Sequence, residues 1–314
     1  MDYLTLINQG KFEEAANELY KKLELDPDDR KRRLLAVCLW FLGKTENALQ
    51  FATQIEHPTH FDYKLLADIH WQLKNWNEMV FALKSALRIS PSAEIYYRLA
   101  IAEGKERYLY EIDAASKEIM RGYLTKATDF EDCPVDVFLF LVHLYEREEV
   151  DSKLDTLFQA LERYPDNADV RLELASVLIY WKGKYERAIK LVTPLLDTDE
   201  RNGVARWYAF VATVHQKKYL EATEYLECIR IEEANELARI KADLLFRQGK
   251  LREWLIYSDE CVDDASFEAG IRKYFRKAYV NLLKNNLKQA VDDFTQGANL
   301  LLESNEIPYS EIYI

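Results

Sequence analysis

The sequence predicts an all-α protein made of antiparallel helical hairpins stacked in a row. Three observations carry that prediction. With 9 glycines and 7 prolines in 314 residues, turn-forming residues are too few for a large sheet, and Leu, Ala, Glu, Lys and Tyr favour helix. One stretch, Gly10 to Pro27, has the full grammar of an amphipathic helix with a stop signal. That stretch then recurs in altered form to the end of the chain, and a single such hairpin cannot bury its apolar face alone.

In the founding stretch Gly10 supplies a tight turn, and Phe12, Ala15, Ala16, Leu19, Leu23 and Leu25 share one face at helical spacing. Glu13, Glu14, Lys21 and Lys22 take the other face, acids first and bases last as the helix dipole prefers, and Asp26-Pro27 ends the ladder. A short helix over 2–9 precedes it, so the opening unit is clipped. Next come a helix from Arg30 to Leu42, with Leu34, Leu35, Cys38, Leu39 and Leu42 inward, a turn at Gly43, and a helix from Glu46 to Ile55. Ala15 and Ala48 are 33 residues apart. The fullest copy runs from His60 to Pro91, with Leu66-Ala67, Trp76, Leu83, Ala86-Leu87 and Pro91 at matching places.

The following unit opens on Ile95 to Ala100 and then loses its period between residues 104 and 133. Leu109, Ile112, Ala115, Ile119, Tyr123 and Leu124 keep helical spacing there, which predicts a longer second helix and an acidic connector, TDFEDCP. An insertion is the preferred account, ahead of a hinge or a partner contact. Regularity returns at Val135 and closes at Pro165; another unit spans 171–196 with its turn at Gly183, and Trp207 to Ile229 supplies the next. Ala188 and Ala222 stand 34 residues apart. Weaker copies cover Ala238 to Cys261 and Tyr274 to Leu302, with turns at Gly249 and Asn285, and a tail of 303–314 remains. The expectation is one array over 1–314, divided at most by the connector at 104–133.

These residues resemble the tetratricopeptide repeat. Its pattern of a large residue, Leu-Gly/Ala and an aromatic in the first helix, then Ala, aromatic and Ala in the second and a closing Pro, fits best over His60 to Pro91. Met79 stands where the second helix usually opens on alanine. The resemblance covers nearly the whole chain and implies a right-handed α-α superhelix, a TPR-like solenoid of about nine hairpins, whose first helices line a concave groove.

Chemistry is sparse. There is no glycine-rich phosphate loop, GxSxG elbow or HExxH, so the chain reads as no enzyme, with no catalytic residue and no cofactor. Cys38, Cys133, Cys228 and Cys261 lie far apart, and His57 and His60 lack partners at ligand spacing, so no metal site is read. No segment nears the roughly 18 apolar residues of a membrane span and no signal peptide is visible, so a cytoplasmic protein is expected.

Function is therefore expected of the groove. Aligning the units places there Arg33, Val37 and Trp40; Lys64, Asp68 and Trp71; Tyr97; Phe138 and Tyr145; Tyr180; Trp207; Arg239, Asp243 and Arg247; and Phe275 and Tyr279. Trp, Tyr and Arg are the types that dominate interface energy. Packing between neighbouring helices is the competing reading for each aromatic. Lys64 with Asp68 and Arg239 with Asp243 also have the spacing of intrahelical pairs. Some tetratricopeptide proteins clamp acidic C-termini of chaperones with Lys, Asn and Arg in their first helices; Arg33, Val37, Lys64, Asp68, Arg239 and Asp243 lack the asparagines, which disfavours that clamp here.

Net charge is −12, and residues 101–200 hold 22 acids and 13 bases. That balance argues against nucleic acid and favours a basic partner segment at the centre. The basic runs Arg30 to Arg33 and Arg272 to Lys277 read as solvated helix faces. The expected function is a scaffold, adaptor or assembly factor holding a peptide or helix of another protein. The alternatives are a non-catalytic subunit of an enzyme complex and an RNA-binding helical repeat.

Overall fold

The computed structural model describes residues 2–105, 107–197, 202–229, 234–254, 257 and 267–303, and all regular structure among them is helical. The predicted tail at 303–314 lies outside the described residues beyond Glu303, as does Cys261. Two compact units divide the chain, Met1–Val170 and Arg171–Ile314, with the boundary in the first turn of a helix.

In unit 1 the helices are α1 (Tyr3–Asn8), α2 (Phe12–Leu25), α3 (Asp29–Phe41), α4 (Thr45–Ala52), α5 (His60–Gln72), α6 (Trp76–Ile89), α7 (Ala93–Gly104), α8 (Ala114–Thr128), α9 (Val135–Leu144) and α10 (Val150–Arg163). Each packs on its successor, and α3 also touches α5. Unit 2 holds α11 (Ala168–Tyr180, from its fourth residue), α12 (Tyr185–Val192), α13 (Asn202–His215), α14 (Tyr219–Glu227), α15 (Ala234–Arg247), a helical turn at 251–254, α16 (Phe267–Leu283) and α17 (Leu287–Glu303). There α12 packs on α13, α13 on α14, α14 on α15 and α16 on α17.

Small residues let the helices approach. Ala15, Leu19, Leu35, Ala48, Ala67, Leu83, Ala86 and Leu99 are wholly buried in unit 1, and Ala188, Ala209, Ala222 and Ala278 are buried in unit 2. Each buried Leu stabilises by about 1.5–3 kcal/mol relative to an exposed one. The first helices α3, α5 and α11 start on side-chain caps: the carboxylate of Asp28 accepts the Lys31 amide at 2.9 Å, Thr59 with Asp62 forms a reciprocal capping box, and Asn167 accepts the Val170 amide at 2.9 Å.

The turn from first to second helix repeats one device. A residue in the left-handed region follows the first helix, at Gly10, Gly43, Gly183 and Gly249, but also at Lys74, Lys217 and Asn285. The amide after it donates to a carbonyl five or six residues back, as in Lys44 to Leu39, Asn75 to His70, Lys218 to Thr213 and Asn286 to Asn281, all at 2.8–3.0 Å. This is a Schellman closure, which satisfies the orphan carbonyls of a helix end.

Three sequence expectations change. The second helix expected within 104–133 does not run on from α7. Lys105 takes a left-handed conformation, a 3-10 turn forms at Leu109–Glu111, and α8 starts only at Ala114 on the Asp113 cap. Leu109 and Ile112 therefore pack into the core from a loop, while Ile119 faces solvent because Met120, Leu124 and Ala127 set the inward register. Leu25, at the last turn of α2, is 85% exposed rather than inward. Helix α4 stops at Ala52, although Ile55 beyond it is still buried.

Candidate partner-binding faces

In unit 1 the first helices α3, α5, α7 and α9 form a cross-braced wall. Arg33 of α3 reaches Asp62 of α5 with two parallel hydrogen bonds, Nε to Oδ1 at 2.5 Å and an Nη to Oδ2 at 2.7 Å. The Asp62 side chain has no solvent exposure. Burial opposes its charge, but the Arg33 guanidinium with the Thr59 amide and hydroxyl outweighs it and holds the carboxyl below the usual range. One turn on, Lys64 reaches Glu94 of α7 at 2.5 Å, and Arg98 of α7 pairs with Asp68. Burial of Asp68 pushes its carboxyl up despite Arg98. Tyr97 then meets Phe140 of α9 edge to face at 6.3 Å.

The predicted residues separate into three groups. Lys64, Asp68 and Arg33 do lie on the wall, but as rungs between helices; the intrahelical reading of Lys64 with Asp68 gives way to these longer bonds. Trp40, Trp71 and Tyr97 are half-buried: Trp40 sits against Phe41 with its indole nitrogen buried and unpartnered among the described residues, and Trp71 meets Trp76 edge to face at 5.3 Å. Val37 packs on the core of α2 to α4. Phe138 is a correction: it is wholly buried, because α9 exposes Asp136 and His143 and turns that ring inward against Tyr164. Tyr145 caps the end of α9, half-buried, with the Arg121 guanidinium over its ring at 5.7 Å.

In unit 2, Tyr180 is 53% exposed and meets Tyr208 of α13 edge to face, so α11 and α13 share an aromatic face. Trp207 packs among α13, α14 and α15 beside Phe210 at 5.3 Å. Asp243 of α15 binds Arg247 at 2.6 Å and Arg276 of α16 at 2.8 Å. Arg239 is exposed at the surface. Phe275 turns toward Phe294 of α17, whereas Tyr279 is 39% exposed beside Phe246. The run at Arg272 to Lys277 thus contributes Arg276 to an ion pair and Phe275 to packing.

Sequence reasoning missed Asp62, Glu94, Arg98 and Tyr208. The signal for the first three was present: Arg33 and Asp62 are 29 residues apart, Lys64 and Glu94 30, and Asp68 and Arg98 30. That offset is one repeat less about one helical turn. A cation and an acid at that spacing meet across neighbouring first helices.

Paired helices, a left-handed turn in most hairpins and a spacing near 34 residues define a helical-repeat protein of tetratricopeptide-like architecture. No family model matches the chain, and no curated protein sequence matches it. Among solved structures it is similar to a tetratricopeptide repeat protein from Parabacteroides merdae, at 14% identity over 77% of this chain and 93% of that one, with a TM-score of 0.46. YrrB, described as a TPR protein with an unusual peptide-binding site, is similar at 18% identity over 65% of this chain and 99% of its own, TM-score 0.45. PilF of Pseudomonas aeruginosa shows 17% identity over 67% of this chain and 94% of its own, TM-score 0.44. Among the described residues no helix is long and apolar enough to cross a membrane, and no cluster of His, Cys, Asp or Glu has the makings of a metal site.

Proposed function

We propose that the chain is a non-enzymatic scaffold that holds a peptide or helical segment of a partner protein against its first helices. The observation that carries this reading is the braced wall of unit 1. Its polar side chains are fixed by ion pairs between helices, so Lys64, Asp68 and Arg98 offer charge at set positions beside the half-buried rings of Trp71 and Tyr97. Side chains already ordered lose little entropy on binding. The acidic balance of 101–200 suits a basic segment, and the same reading places the protein in the cytoplasm, where thiols such as the buried Cys38 and Cys133 stay reduced.

Affinity purification of the full chain with mass spectrometry tests this. A discrete protein partner is expected, and its recovery should fall in a variant carrying Lys64→Ser, Trp71→Ser and Tyr97→Ser whose helical circular dichroism is unchanged. Full recovery by that variant, or recovery of RNA in place of protein, would refute the reading.

A further inference from the structure

We propose that the outward face of α17 is a self-association surface, on which a second copy of this chain docks the same helix antiparallel about a two-fold axis. The inward face of α17 is complete. Ala290 and Asp293 are buried where it packs on α16, Asn281 donates to the Asp293 carboxylate at 2.8 Å, and a Cβ at Gly297 would come to 3.3 Å from both Tyr274 and Phe275. The other side carries Leu287, Val291 and Leu302, which are 58%, 61% and 77% exposed, with Ala298 exposed among them. Thr295 stands between Val291 and Ala298, and its hydroxyl is spent on the Val291 carbonyl at 2.7 Å. No described residue covers this stripe, which runs about 22 Å along the helix. Leu282 of α16, two turns beyond the Phe275 ring that meets Phe294, adds an exposed apolar side chain on the same side of the hairpin.

A contiguous apolar stripe in water marks an interaction surface, and the outward face of α2, with Glu13, Glu14 and Lys21, shows how a solvated second helix differs. The spacing of the stripe says what covers it. Leu287, Val291, Ala298 and Leu302 are separated by 4, 7 and 4 residues, a pattern that reads the same in either direction. A two-fold contact requires that property, because residue i of one copy meets residue j of the other while j meets i. With the axis between Phe294 and Thr295, Leu287 meets Leu302 of the second copy and Val291 meets its Ala298, on both sides of the axis at once. The small Ala298 lets the two helices approach there. The polar flank agrees: Lys288, Asp292, Gln296 and Asn299 are exposed along it, and the same axis sets Asp292 beside Gln296 of the second copy, so no like charges meet. A helix of a different protein would need no such symmetry in the surface that receives it.

Sedimentation equilibrium of the full chain over a range of concentrations tests this. A reversible monomer–dimer equilibrium is expected with a Kd of about 10 μM, because one helix pair is smaller than the interface of a stable complex. Val291→Glu should weaken it about tenfold or more, and so should Ala298→Lys. The two substitutions in one chain should restore association, since the axis sets position 291 against 298 of the other copy, whereas within one helix they stand two turns apart and do not pair. Should Val291→Glu lower the helical circular dichroism, Leu287→Gln with Leu302→Gln replaces it as the weakening variant. A chain still monomeric about tenfold above that Kd, whether the stripe is bare or covered by another segment of the chain, would overturn the proposal. So would a dimer indifferent to Val291→Glu and to the paired leucine variant, or a double variant that associates no better than either single one.

Discussion

At the scale of single residues, backbone conformation sets the sharpest expectations. Lys74 holds φ of 57° where the equivalent turns carry Gly10 or Gly43. A side chain in the left-handed region costs roughly 1–2 kcal/mol, least for asparagine. Lys74→Gly should therefore raise stability by about 1 kcal/mol, Asn285→Gly by less, and Gly43→Ala should lower it by a comparable amount. Urea unfolding midpoints give that order directly. His70 is a second case. Burial lowers its pKa from the ordinary value, and its Nδ1 is buried without a partner among the described residues. A group whose folded pKa is depressed stabilises fully above its unfolded pKa and loses that contribution as pH falls toward the folded one. The contribution of His70 should thus begin to fall below about pH 6.5, and His70→Phe should remove that loss, as thermal melts of the two proteins across pH would show.

At the scale of helices, the Arg33 and Asp62 pair ties α3 to α5, and its two ends are not equivalent. Asp62 is wholly enclosed, whereas the Arg33 side chain retains 30% exposure. Removing the cation strands a buried carboxylate on Thr59 alone; removing the acid leaves a guanidinium that turns to water. Arg33→Leu should cost about 3 kcal/mol, more than Asp62→Leu, and the double variant should be less destabilised than the sum of the two. A double-mutant cycle by denaturant unfolding measures this. The same helices show what was legible in the sequence. A second helix such as α2 announces its inward face because Ala15, Ala16 and Leu19 stand opposite Glu13, Glu14, Glu18 and Lys21. Helix α9, VDVFLFLVHL, has too few polar residues to fix its rotation, so its pattern does not show that Phe138 faces inward. The left-handed lysines carry no signal, since lysine does not favour that region, and the rungs between first helices follow from the sequence only through a repeat length fixed to within one helical turn.

For the molecule as a whole, charge is the property that every unit shares. The net −12 at pH 7 opposes compaction by self-repulsion, and acidification toward the isoelectric point of about 5.1 relieves it. Over the same interval His70 acts the other way, so the His70→Phe protein should gain stability between pH 7 and 5 while the parent gains less. Further acidification meets carboxyls held below their ordinary range. Asp28 is lowered by hydrogen bonds from the Lys31 side chain and amide, Asp29 by the amides of Glu56 and His57, and Asp62 by Arg33 and Thr59 against the opposition of burial. Each stabilises the fold above the unfolded value near 3.9 and loses that contribution as pH falls through its folded pKa. Asp68 has the opposite sign, because burial raises it and its protonation relieves a cost. Asp113 is lowered likewise by the amide and hydroxyl of Ser116, and four lowered carboxyls against one raised predict helicity that is level from pH 7 to about 4 and falls below it. Circular dichroism across that range checks the outcome, and helicity that survives unchanged to pH 2 would show that the caps and the Arg33 rung contribute little.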